Sequence, residues 1–360
     1  MALSGNKGEW SEVYTLFKLL GDKKVFAGDG NLNKIEDLFY PIIKILRQEE
    51  NTNYEFAIHK GDIVIVTGDG KKELRIPVAE FTKQAKFLLN IIKKSAGAFT
   101  SPETEQFMRS AYCTKIKAKS SDKTDIKIII HDLHTGVCPT LGFSIKSKMG
   151  GASTLINPSR ATNFRYTIGR VKLTQIQIDE INSIETKSKI RDRILRIKEL
   201  GALLTFDGID SPVFNNNLIM IDSFMPNIMG ELLLMYYSGE GKLLNKLSER
   251  LQQTNPLGYD MRDKHKFYEY KLKRLLCDAA LGMTPAHIWT GIFDANGGYL
   301  VVKKDGDVLC YHIYKRNEFE NYLLNTSFMD TPSSTRYRFG IVENIGEKQI
   351  LKLNLQIRFI

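Results

Sequence analysis

Cysteine is scarce in this sequence: the 360 residues include only four, and none of them forms a Cys-x-x-Cys pair. That scarcity excludes a small disulfide-stapled domain and favours reduced thiols in a cytosol. The apolar runs are too short to span a bilayer, and no charged-then-apolar leader opens the chain. We therefore expect an intracellular protein with no membrane partner. Internal repeats and low-complexity tracts are also missing, so we expect one large or two medium globular domains.

Three motifs of common enzyme classes are absent as well. The sequence has no Gly-x-x-x-x-Gly-Lys-Ser/Thr loop, no Gly-x-Gly-x-x-Gly fingerprint and no Gly-x-Ser-x-Gly elbow. These absences argue against a Walker-type phosphate loop, dinucleotide binding and acyl transfer. What the chain has in excess is positive charge, with 51 Lys and Arg against 41 Asp and Glu and a formal net charge of +10. That excess suits a polyanionic partner such as nucleic acid, although many basic proteins bind none.

The hydrophobic pattern indicates an α/β protein. Apolar residues recur at helical spacing over segments 8–20, 34–49, 79–94, 102–112, 173–200, 213–250 and about 264–281. Short apolar runs bounded by turn residues predict strands at 54–58, 63–66 and 74–78, and a hairpin over 299–314. We predict a mixed sheet flanked by helices, with additional helical and β segments.

Two segments combine a regular pattern with polar or basic side chains. The helical segment 173–200 carries a dense basic face, which consists of Lys187, Lys189, Arg191, Arg193, Arg196 and Lys198. The last residues alternate between apolar and polar, and the polar side of this final strand consists of Lys352, Asn354, Gln356 and Arg358. Such side chains read base edges well. On spacing alone, however, the pattern favours a solvent-facing edge strand.

Asp125 and Lys146 are the most informative pair in the chain. Asp125 begins an apolar run, a turn follows, and Lys146 lies near the middle of the next apolar run. In a twisted hairpin the two side chains can converge on one point. A carboxylate that holds Mg²⁺ and a cation that polarises water and phosphate are what metal-assisted phosphodiester hydrolysis requires. The layout resembles the P-D…(D/E)-x-K pattern of restriction-type nucleases, with Thr124 replacing Pro and Ser144 replacing the second acid. By spacing alone the pattern is weak, because a strand acid followed by a strand lysine often occurs by chance.

Three further acids are candidates for the same site. Glu9 and Glu12 are three residues apart, so they share a face of the first helix. Taken alone, each is better explained as a solvated acid favoured by the helix dipole. Asp132 ends the strand that Asp125 begins, and strand alternation places these two side chains on opposite faces. We interpret Trp10, between the two glutamates, as a core residue.

Other side chains suit contacts with phosphates or bases. They are Lys119 and Lys123 before the hairpin, Lys148, Ser153, Thr154, Asn157, Arg160, Thr162 and Asn163 after it, and Arg336 and Arg338 near the end. Exposed strands or loops that carry polar residues for solubility remain an alternative for each set. A zinc site of His131, His134 and Cys138 is a weaker hypothesis, because the three straddle a tight turn and a fourth ligand is not evident.

Four of these segments in combination resemble the HpaII family of type II restriction endonucleases. They are residues 8–20, 125–147, 153–164 and 352–359, so the resemblance covers essentially the whole chain. It implies a Mg²⁺-dependent enzyme that cuts double-stranded DNA within the palindrome CCGG and leaves 5′-phosphate and 3′-hydroxyl ends. It also implies a cognate cytosine methyltransferase that acts on the same sequence without a stable complex. We expect a bacterial cytoplasmic protein, at the nucleoid when it acts, and leave a homodimer open.

The resemblance also assigns roles by position. Asp125 becomes the metal-binding acid and Lys146 the lysine that positions or activates water. Ser144 stands where most nucleases of this superfamily carry an acid, so Glu12, and after it Glu9, is the preferred substitute. The main-chain carbonyl of Ile145 completes the metal ligands. The implied restriction-endonuclease-like fold is divided into a nuclease core of residues 1–255 and a C-terminal part, 256–360, that packs on the core and contacts DNA.

Two rival functions remain open on the sequence. In the first, the protein binds specific DNA without catalysis, and Asp125 and Lys146 form a plain ion pair. In the second, it is a Mg²⁺-dependent nuclease for RNA or branched DNA.

Overall fold

The structure, a computed structural model, describes residues 2–49, 52–117, 124–133 and 136–360. The α-helices of these residues are α1 (Lys7–Asp22), α2 (Val78–Lys94), α3 (Pro102–Ser110), α4 (Gln175–Asn182), α5 (Lys189–Glu199), α6 (Pro212–Ile221), α7 (Met225–Tyr237), α8 (Leu244–Thr254), α9 (Phe267–Leu281), α10 (Arg316–Thr326) and α11 (Ser334–Tyr337). The strands are β1 (Ser4–Asn6), β2 (Lys24–Gly28), β3 (Lys34–Gln48), β4 (Asn53–His59), β5 (Ile63–Gly68), β6 (Leu74–Pro77), β7 (Ala98–Thr100), β8 (Ile126–Ile130), β9 (Thr140–Ser147), β10 (Thr154–Ile156), β11 (Asn163–Gly169), β12 (Leu203–Ile209), β13 (Gly298–Val302), β14 (Val308–His312), β15 (Ser327–Met329), β16 (Val342–Ile345), β17 (Lys348–Asn354) and β18 (Ile357–Phe359). This mixed content confirms the predicted α/β class.

The chain folds into two compact units. The first comprises Met1–Ser153 and Phe293–Tyr322, and the second comprises Thr154–Ile292 and Leu323–Ile360. The expected division between residues 255 and 256 coincides with none of the three boundaries, which lie at 153/154, 292/293 and 322/323. The reason is that the hairpin of β13 and β14 returns to the first unit and pairs with β9 and β2.

A nine-stranded mixed sheet is the framework of the first unit. Its strand order is β2-β14-β13-β9-β8-β3-β4-β5-β6, and β2 also pairs with β3. The first half of the 15-residue β3 pairs with β2, whereas its second half pairs with β8 and β4. The pairings from β2 through β14, β13, β9, β8 and β3 back to β2 therefore form a closed ring of strands. The ring places the predicted hairpin of β8 and β9 beside the hairpin of β13 and β14.

Helix α1 packs its predicted apolar stripe into the core of this unit. Trp10, Val13, Tyr14, Phe17 and Leu20 are all buried, and they share one cluster with apolar residues of α2, β8, β9 and β13. Each large apolar side chain that is fully buried contributes roughly 1.5–3 kcal/mol. This packing fixes the polar side of α1 relative to the sheet, which matters for Glu12.

Residues 34–49 form β3, so the prediction of a helix there was wrong. Tyr40 and Ile42 are buried two residues apart, and a register shift after Ile42 moves the next fully buried position to Ile45. Alternation interrupted by a bulge imitates the i, i+3 spacing of a helix. Pro41, which breaks the interior of a helix, was the available signal against one.

The second unit contains two smaller sheets, β10-β18-β15 and β12-β11-β17-β16. Helix α7 packs on one face of the four-stranded sheet: the hydroxyl of Tyr166 donates to the carbonyl of Gly230, and Phe206 lies against the same glycine. Within the described part of the chain, no single helix is long and apolar enough to cross a membrane. The pair α6 and α7 passes on length and composition only, and its two helices meet at a bend of 108°.

The segment 173–200 forms two helices, α4 and α5, rather than one. Its basic face is also less exposed than expected, since Arg193 is buried. The guanidinium of Arg193 donates to the carbonyls of Gly340, Asn182 and Ile184. Arg193 therefore does not belong to the predicted basic face, because its guanidinium binds backbone carbonyls inside the unit.

The C-terminal residues form two interior strands, so the expectation of one solvent-facing edge strand was wrong. β17 lies between β11 and β16, and β18 lies between β10 and β15. Each strand therefore has neighbours on both sides. Alternation along a strand reports which face is apolar, but it carries no information on which edges are paired.

Candidate active site

The start of α1 is fixed by a capping box between Asn6 and Glu9. The side-chain oxygen Oδ1 of Asn6 accepts from the backbone N–H of Glu9 at 3.1 Å, and Oε2 of Glu9 accepts from the backbone N–H of Asn6 at 2.9 Å. Such reciprocal bonds satisfy two N–H groups at the helix terminus. The carboxylate of Glu9 therefore has a structural role at the start of α1. Glu12 follows three residues later on the same helix.

A second contact joins α1 to β9 beside Lys146. The hydroxyl oxygens of Ser11 and Ser147 are 2.7 Å apart, and the hydroxyl of Ser11 also donates to the carbonyl of Lys7 at 2.6 Å. On the buried side of the helix, the indole N–H of Trp10 donates to the carbonyl of Phe99. Trp10 is fully buried, which confirms its interpretation as a core residue.

Asp125 is oriented by the strand opposite to it. Its backbone N–H donates to the carbonyl of Phe143, the residue that pairs with Ile126 at the start of β8. Its carboxylate oxygen Oδ2 accepts from the hydroxyl of Ser144 at 3.0 Å and from the backbone N–H of Ile145 at 2.7 Å. Both bonds go to one oxygen, and no described residue donates to Oδ1. Ser144 thus acts on the carboxylate as a hydrogen-bond donor.

The carbonyl of Ile145 is directed toward the same place. In a strand, the N–H and C=O groups of one residue point to the same edge. The N–H of Ile145 binds the carboxylate of Asp125, at the point where β8 begins. The C=O of Ile145 therefore points to the same edge of β9 as its N–H, the edge on which Asp125 lies.

Lys146 lies in the electrostatic field of two acids. Burial lowers the pKa of its ammonium group below the usual value, while the charges of Asp125 and Glu12 oppose that shift. The Nζ atom also lies 4.9 Å from the centre of the Tyr299 ring, on the neighbouring strand β13. The two predicted residues thus occur on the same side of the sheet and in one site.

One cavity of about 740 Å³ is lined by most of the predicted catalytic and metal-binding residues. Its lining includes Glu9, Glu12, Asp125, Ile145 and Lys146. Asp132 does not line it, because that acid lies at the far end of β8, where its charge acts on His312. The expectation that Asp125 and Asp132 point to opposite faces of the strand stays a prediction.

The donor set of this cavity suits a hard divalent cation. Among the described residues, no group of three or more His, Cys, Asp or Glu could hold a metal ion. Two carboxylates and a carbonyl nevertheless match Mg²⁺, which commonly takes one or two carboxylates and fills its remaining positions with water and substrate phosphate. The predicted zinc site of His131, His134 and Cys138 stays a prediction, because His134 lies outside the described residues.

The candidate DNA contacts of the first unit are only partly gathered at the cavity. Ser153 and the neighbouring glycine-rich segment line it, as does Lys117. Lys148 does not line it, and burial together with the charge of Lys304 lowers the pKa of Lys148. Lys119 and Lys123 lie outside the described residues.

Three of the candidate contacts in the second unit are buried and bonded to one another. Thr162, Asn163 and Asn354 are at most 2% exposed. The amide nitrogen of Asn354 donates to Oδ1 of Asn163 at 2.7 Å. The Oδ1 of Asn354 accepts from the hydroxyl of Thr162 at 3.3 Å. As they stand, these three side chains tie β11 to β17 and are not available to bases, which corrects their prediction as DNA contacts.

The remaining candidates in the second unit differ in exposure. Those at the surface are Asn157, Arg160, Arg336 and Arg338. Thr154 and Gln356 are partly buried, and Arg358 pairs with Asp330 at 2.8 Å. The four exposed side chains are accessible to a ligand.

Arg47 is a residue near the site that sequence reasoning missed. Its Nε lies 2.6 Å from Oε1 of Glu49, and its Nη2 donates to the carbonyl of Lys115. Arg47 lines a second cavity, of about 360 Å³, together with Glu12 and Asp125. It was overlooked because the surrounding segment was expected to be helical, and a helix would place this side chain elsewhere.

Comparison with known proteins decides the family. The sequence model described as HpaII restriction endonuclease matches residues 6–359. The chain belongs to the HpaII restriction endonuclease family. It is 44% identical over 359 residues to the protein named Type II restriction enzyme HpaII from Haemophilus parainfluenzae, covering 99% of both chains. No solved structure matches it.

Membership confirms the resemblance drawn from the four sequence segments. A member of the HpaII restriction endonuclease family is an enzyme, a site-specific deoxyribonuclease. The rival interpretation as a non-catalytic DNA-binding protein is thereby set aside.

Proposed function

We propose that this restriction endonuclease cuts double-stranded DNA within CCGG, in a Mg²⁺-dependent reaction that leaves 5′-phosphate and 3′-hydroxyl ends. The observation that carries the proposal is the meeting of Asp125, Glu12 and Lys146 at one cavity, although Glu12 is distant in sequence from the other two. The identity and coverage of the match to the Haemophilus parainfluenzae enzyme support a shared activity. The restriction-endonuclease-like fold is part of the same proposal.

The residues that would hold Mg²⁺ are Asp125, Glu12 and the carbonyl of Ile145. When bound, the ion supplies a Lewis acid that lowers the pKa of bound water and neutralises charge on the phosphate. Ser144 keeps one oxygen of Asp125 engaged and so fixes the direction of the other. Glu9, whose carboxylate closes the capping box, is the less favoured acid.

Lys146 would position the attacking water and the phosphate. Its ammonium lies close enough to Asp125 and Glu12 for both charges to act on it. Burial makes the neutral amine easier to reach than in a solvated lysine, which suits a group that exchanges a proton with water. A cation at this position also opposes the negative charge that develops on the transferring phosphate.

Wider aspects of the proposal concern partners and location. Asn157, Arg160, Arg336 and Arg338 are the surface residues proposed to contact DNA, and the formal charge of +10 favours that encounter. A cytosine methyltransferase of the same specificity would protect the host sequence. A homodimer would suit a palindromic site, since two-fold symmetry then relates protein and DNA. A cytoplasmic location completes the proposal.

The decisive experiment compares Asp125→Ala and Lys146→Ala with the wild type on a duplex that contains CCGG. Both variants should retain binding and lose cleavage by at least about 100-fold. Lys60→Ala and Asp69→Ala remove the same charges from exposed turns and should cut normally. Cleavage at the wild-type rate by either site variant would remove the assignment of the site.

Substrate comparison tests the rest of the proposal. Plasmid DNA incubated with protein and Mg²⁺ should give discrete fragments whose sequenced ends lie within CCGG, and EDTA should abolish them. Faster cleavage of RNA or branched DNA than of duplex DNA would support the rival nuclease function instead.

A further inference from the structure

Arg165 is a charged residue in the middle of the four-stranded sheet of the second unit. It lies on β11, between Phe164 and Tyr166, which are both fully buried. Since adjacent residues of a strand point to opposite faces, Arg165 emerges on the face opposite to α7, which packs against Tyr166. Its side chain is 37% exposed. Arg165 is therefore presented on the face of the sheet that α7 leaves uncovered.

The backbone of the neighbouring strand is shaped around this side chain. Gly208 on β12 pairs with Arg165, and the register shifts at the next residue. Gly208 has a φ of +136°, and a Cβ atom there would lie 2.9 Å from Nη2 of Arg165. A bulge and a glycine together thus leave room for the guanidinium to lie across the strand.

The guanidinium of Arg165 does not use all of its hydrogen-bond donors within the described residues. Its Nε is shielded from solvent and has no hydrogen-bond partner among the described residues. The nearest acid, Asp210, has its Oδ1 at 3.9 Å from Nε, which is an ion pair too long for a hydrogen bond. The other oxygen of Asp210 lies 3.2 Å from Nζ of Lys352 on β17. A guanidinium that is partly exposed, with only a long ion pair to Asp210, leaves its outer nitrogens available to a ligand.

We propose that Arg165 and Asp210 read one guanine–cytosine base pair of the recognition sequence. Arginine binds guanine O6 and N7 through two hydrogen bonds, and a carboxylate accepts a hydrogen bond from the cytosine amino group. The Arg165 and Asp210 side chains lie side by side on one face, as this pairing requires. Lys352 holds Asp210 from the other side and balances its charge. The inference rests on the proposed cleavage at CCGG, a sequence built entirely of such pairs.

Base readout is favoured over a phosphate contact by the surroundings of the guanidinium. A phosphate would be repelled by Asp210, and this face of the sheet also carries Asp207 and Glu343, paired with Lys348 and Lys352. A mixed field of this kind suits donors and acceptors on base edges better than a polyanionic backbone.

The test removes single atoms from the DNA. In two duplexes, each guanine of one CCGG strand is replaced in turn by 7-deazaguanine, which lacks the N7 acceptor, and cleavage rates are compared with the natural duplex. The wild type should lose rate with both. Arg165→Ala should cut the natural duplex about 5- to 150-fold more slowly, and one of the two replacements should then have no further effect. Arg165→Lys, which keeps the charge but not the two-pronged geometry, should behave in the same way.

The control is Arg196→Ala. Arg196 belongs to the same unit and is similarly exposed at 35%, but it is bonded to Glu180 and Glu199. This variant should keep the wild-type rate and its sensitivity to both replacements. Thermal unfolding of each variant checks that the fold is retained.

Two results would overturn the inference. In one, Arg165→Ala and Arg165→Lys remain as sensitive to both replacements as the wild type. In the other, Arg165→Ala weakens binding equally to duplexes with and without CCGG and lowers the salt dependence, which identifies a phosphate contact. A wild type that does not cut the natural duplex would instead refute the proposed function, so the two failures are distinguishable.

Discussion

Glu9 and Glu12 are three residues apart on one helix, yet their surroundings differ. The carboxylate of Glu9 closes the capping box with the N–H of Asn6. Glu12 lines both cavities that meet at Asp125, and its charge acts on Lys146. At the scale of single residues, the contacts of each carboxylate separate a structural acid from a candidate ligand.

We predict opposite effects for the same substitution at these two positions. Glu12→Gln should abolish Mg²⁺-dependent cleavage, because the amide removes a carboxylate from the proposed ligand set, and should leave thermal stability nearly unchanged. Glu9→Gln should retain cleavage and lose at most about 1 kcal/mol of stability, because an amide at this position still caps the helix. Cleavage assays and thermal unfolding measure the two effects.

The reverse pattern would transfer the ligand role to Glu9. Inactivity of both variants in a folded protein would mean that both acids serve the metal. Either result would leave the roles of Asp125 and Lys146 to be decided by their own variants.

At the scale of the element, β3 shows how a strand gains a buried ion pair. Arg47 and Glu49 near its end have side chains only 9% and 5% exposed, with Nε and Oε1 at 2.6 Å. The second oxygen of Glu49 accepts from the hydroxyl of Thr114 at 2.5 Å. Removing one partner of a buried pair leaves an uncompensated charge, and this cost exceeds the value of the pair itself.

Glu49→Ala should therefore lower the free energy of unfolding by about 3–5 kcal/mol, as measured by urea denaturation. Glu36→Ala, on the same strand, provides the control: Glu36 pairs with Lys34 at 2.9 Å but is 74% exposed. That pair should contribute about 0–1 kcal/mol. Equal losses in the two variants would contradict a buried, energetically important pair.

The same strand marks the limit of prediction from local pattern. The bounds of α1, α2, β5 and the hairpin of β8 and β9 followed from periodicity within a residue or two. β3 did not, because a bulge after Ile42 gave its apolar residues helical spacing. The break between α4 and α5 was also missed, although residues 185–189, which contain no apolar side chain, were an available signal for it. Arg47 was missed for the same reason as β3.

At the scale of the whole molecule, the closed ring of strands brings titratable groups together that are far apart in sequence. His312, the last residue of β14, is 1% exposed and packs against the rings of Tyr40 and Phe143. Burial lowers the pKa of its imidazole to about 4, while the charge of Asp132 opposes that shift. The imidazole is consequently neutral in the folded protein at pH 7.

Because the folded-state pKa of His312 lies below the value of about 6.5 expected in the unfolded chain, the unfolded state binds the proton more readily. The stabilisation that comes from the neutral imidazole of His312 should therefore be fully present above pH 6.5. It should be lost as the pH decreases from 6.5 to 4. This one group should account for a loss of about 3 kcal/mol over that range.

The comparison of His312→Phe with the wild type measures this contribution. Urea denaturation at pH 7 and pH 4.5 should show a smaller pH-dependent loss in the variant, whatever its stability at pH 7. His59→Phe, changed at an exposed position, serves as the control. An unchanged pH dependence in His312→Phe would show that the imidazole is not responsible.

The sequence alone determined the α/β class, the positive charge, the family and the placement of Asp125 and Lys146 on one hairpin. The charge and the family follow from the whole sequence, whereas the hairpin depends on residues close together in the chain, whose spacing sets the face on which each side chain lies. Only the tertiary structure decided the division into two units, the approach of Glu12 to Asp125, and the burial of Thr162, Asn163 and Asn354. Whether a polar side chain is buried depends on hydrogen-bond partners from strands that are distant in sequence. A local sequence pattern does not identify these strands.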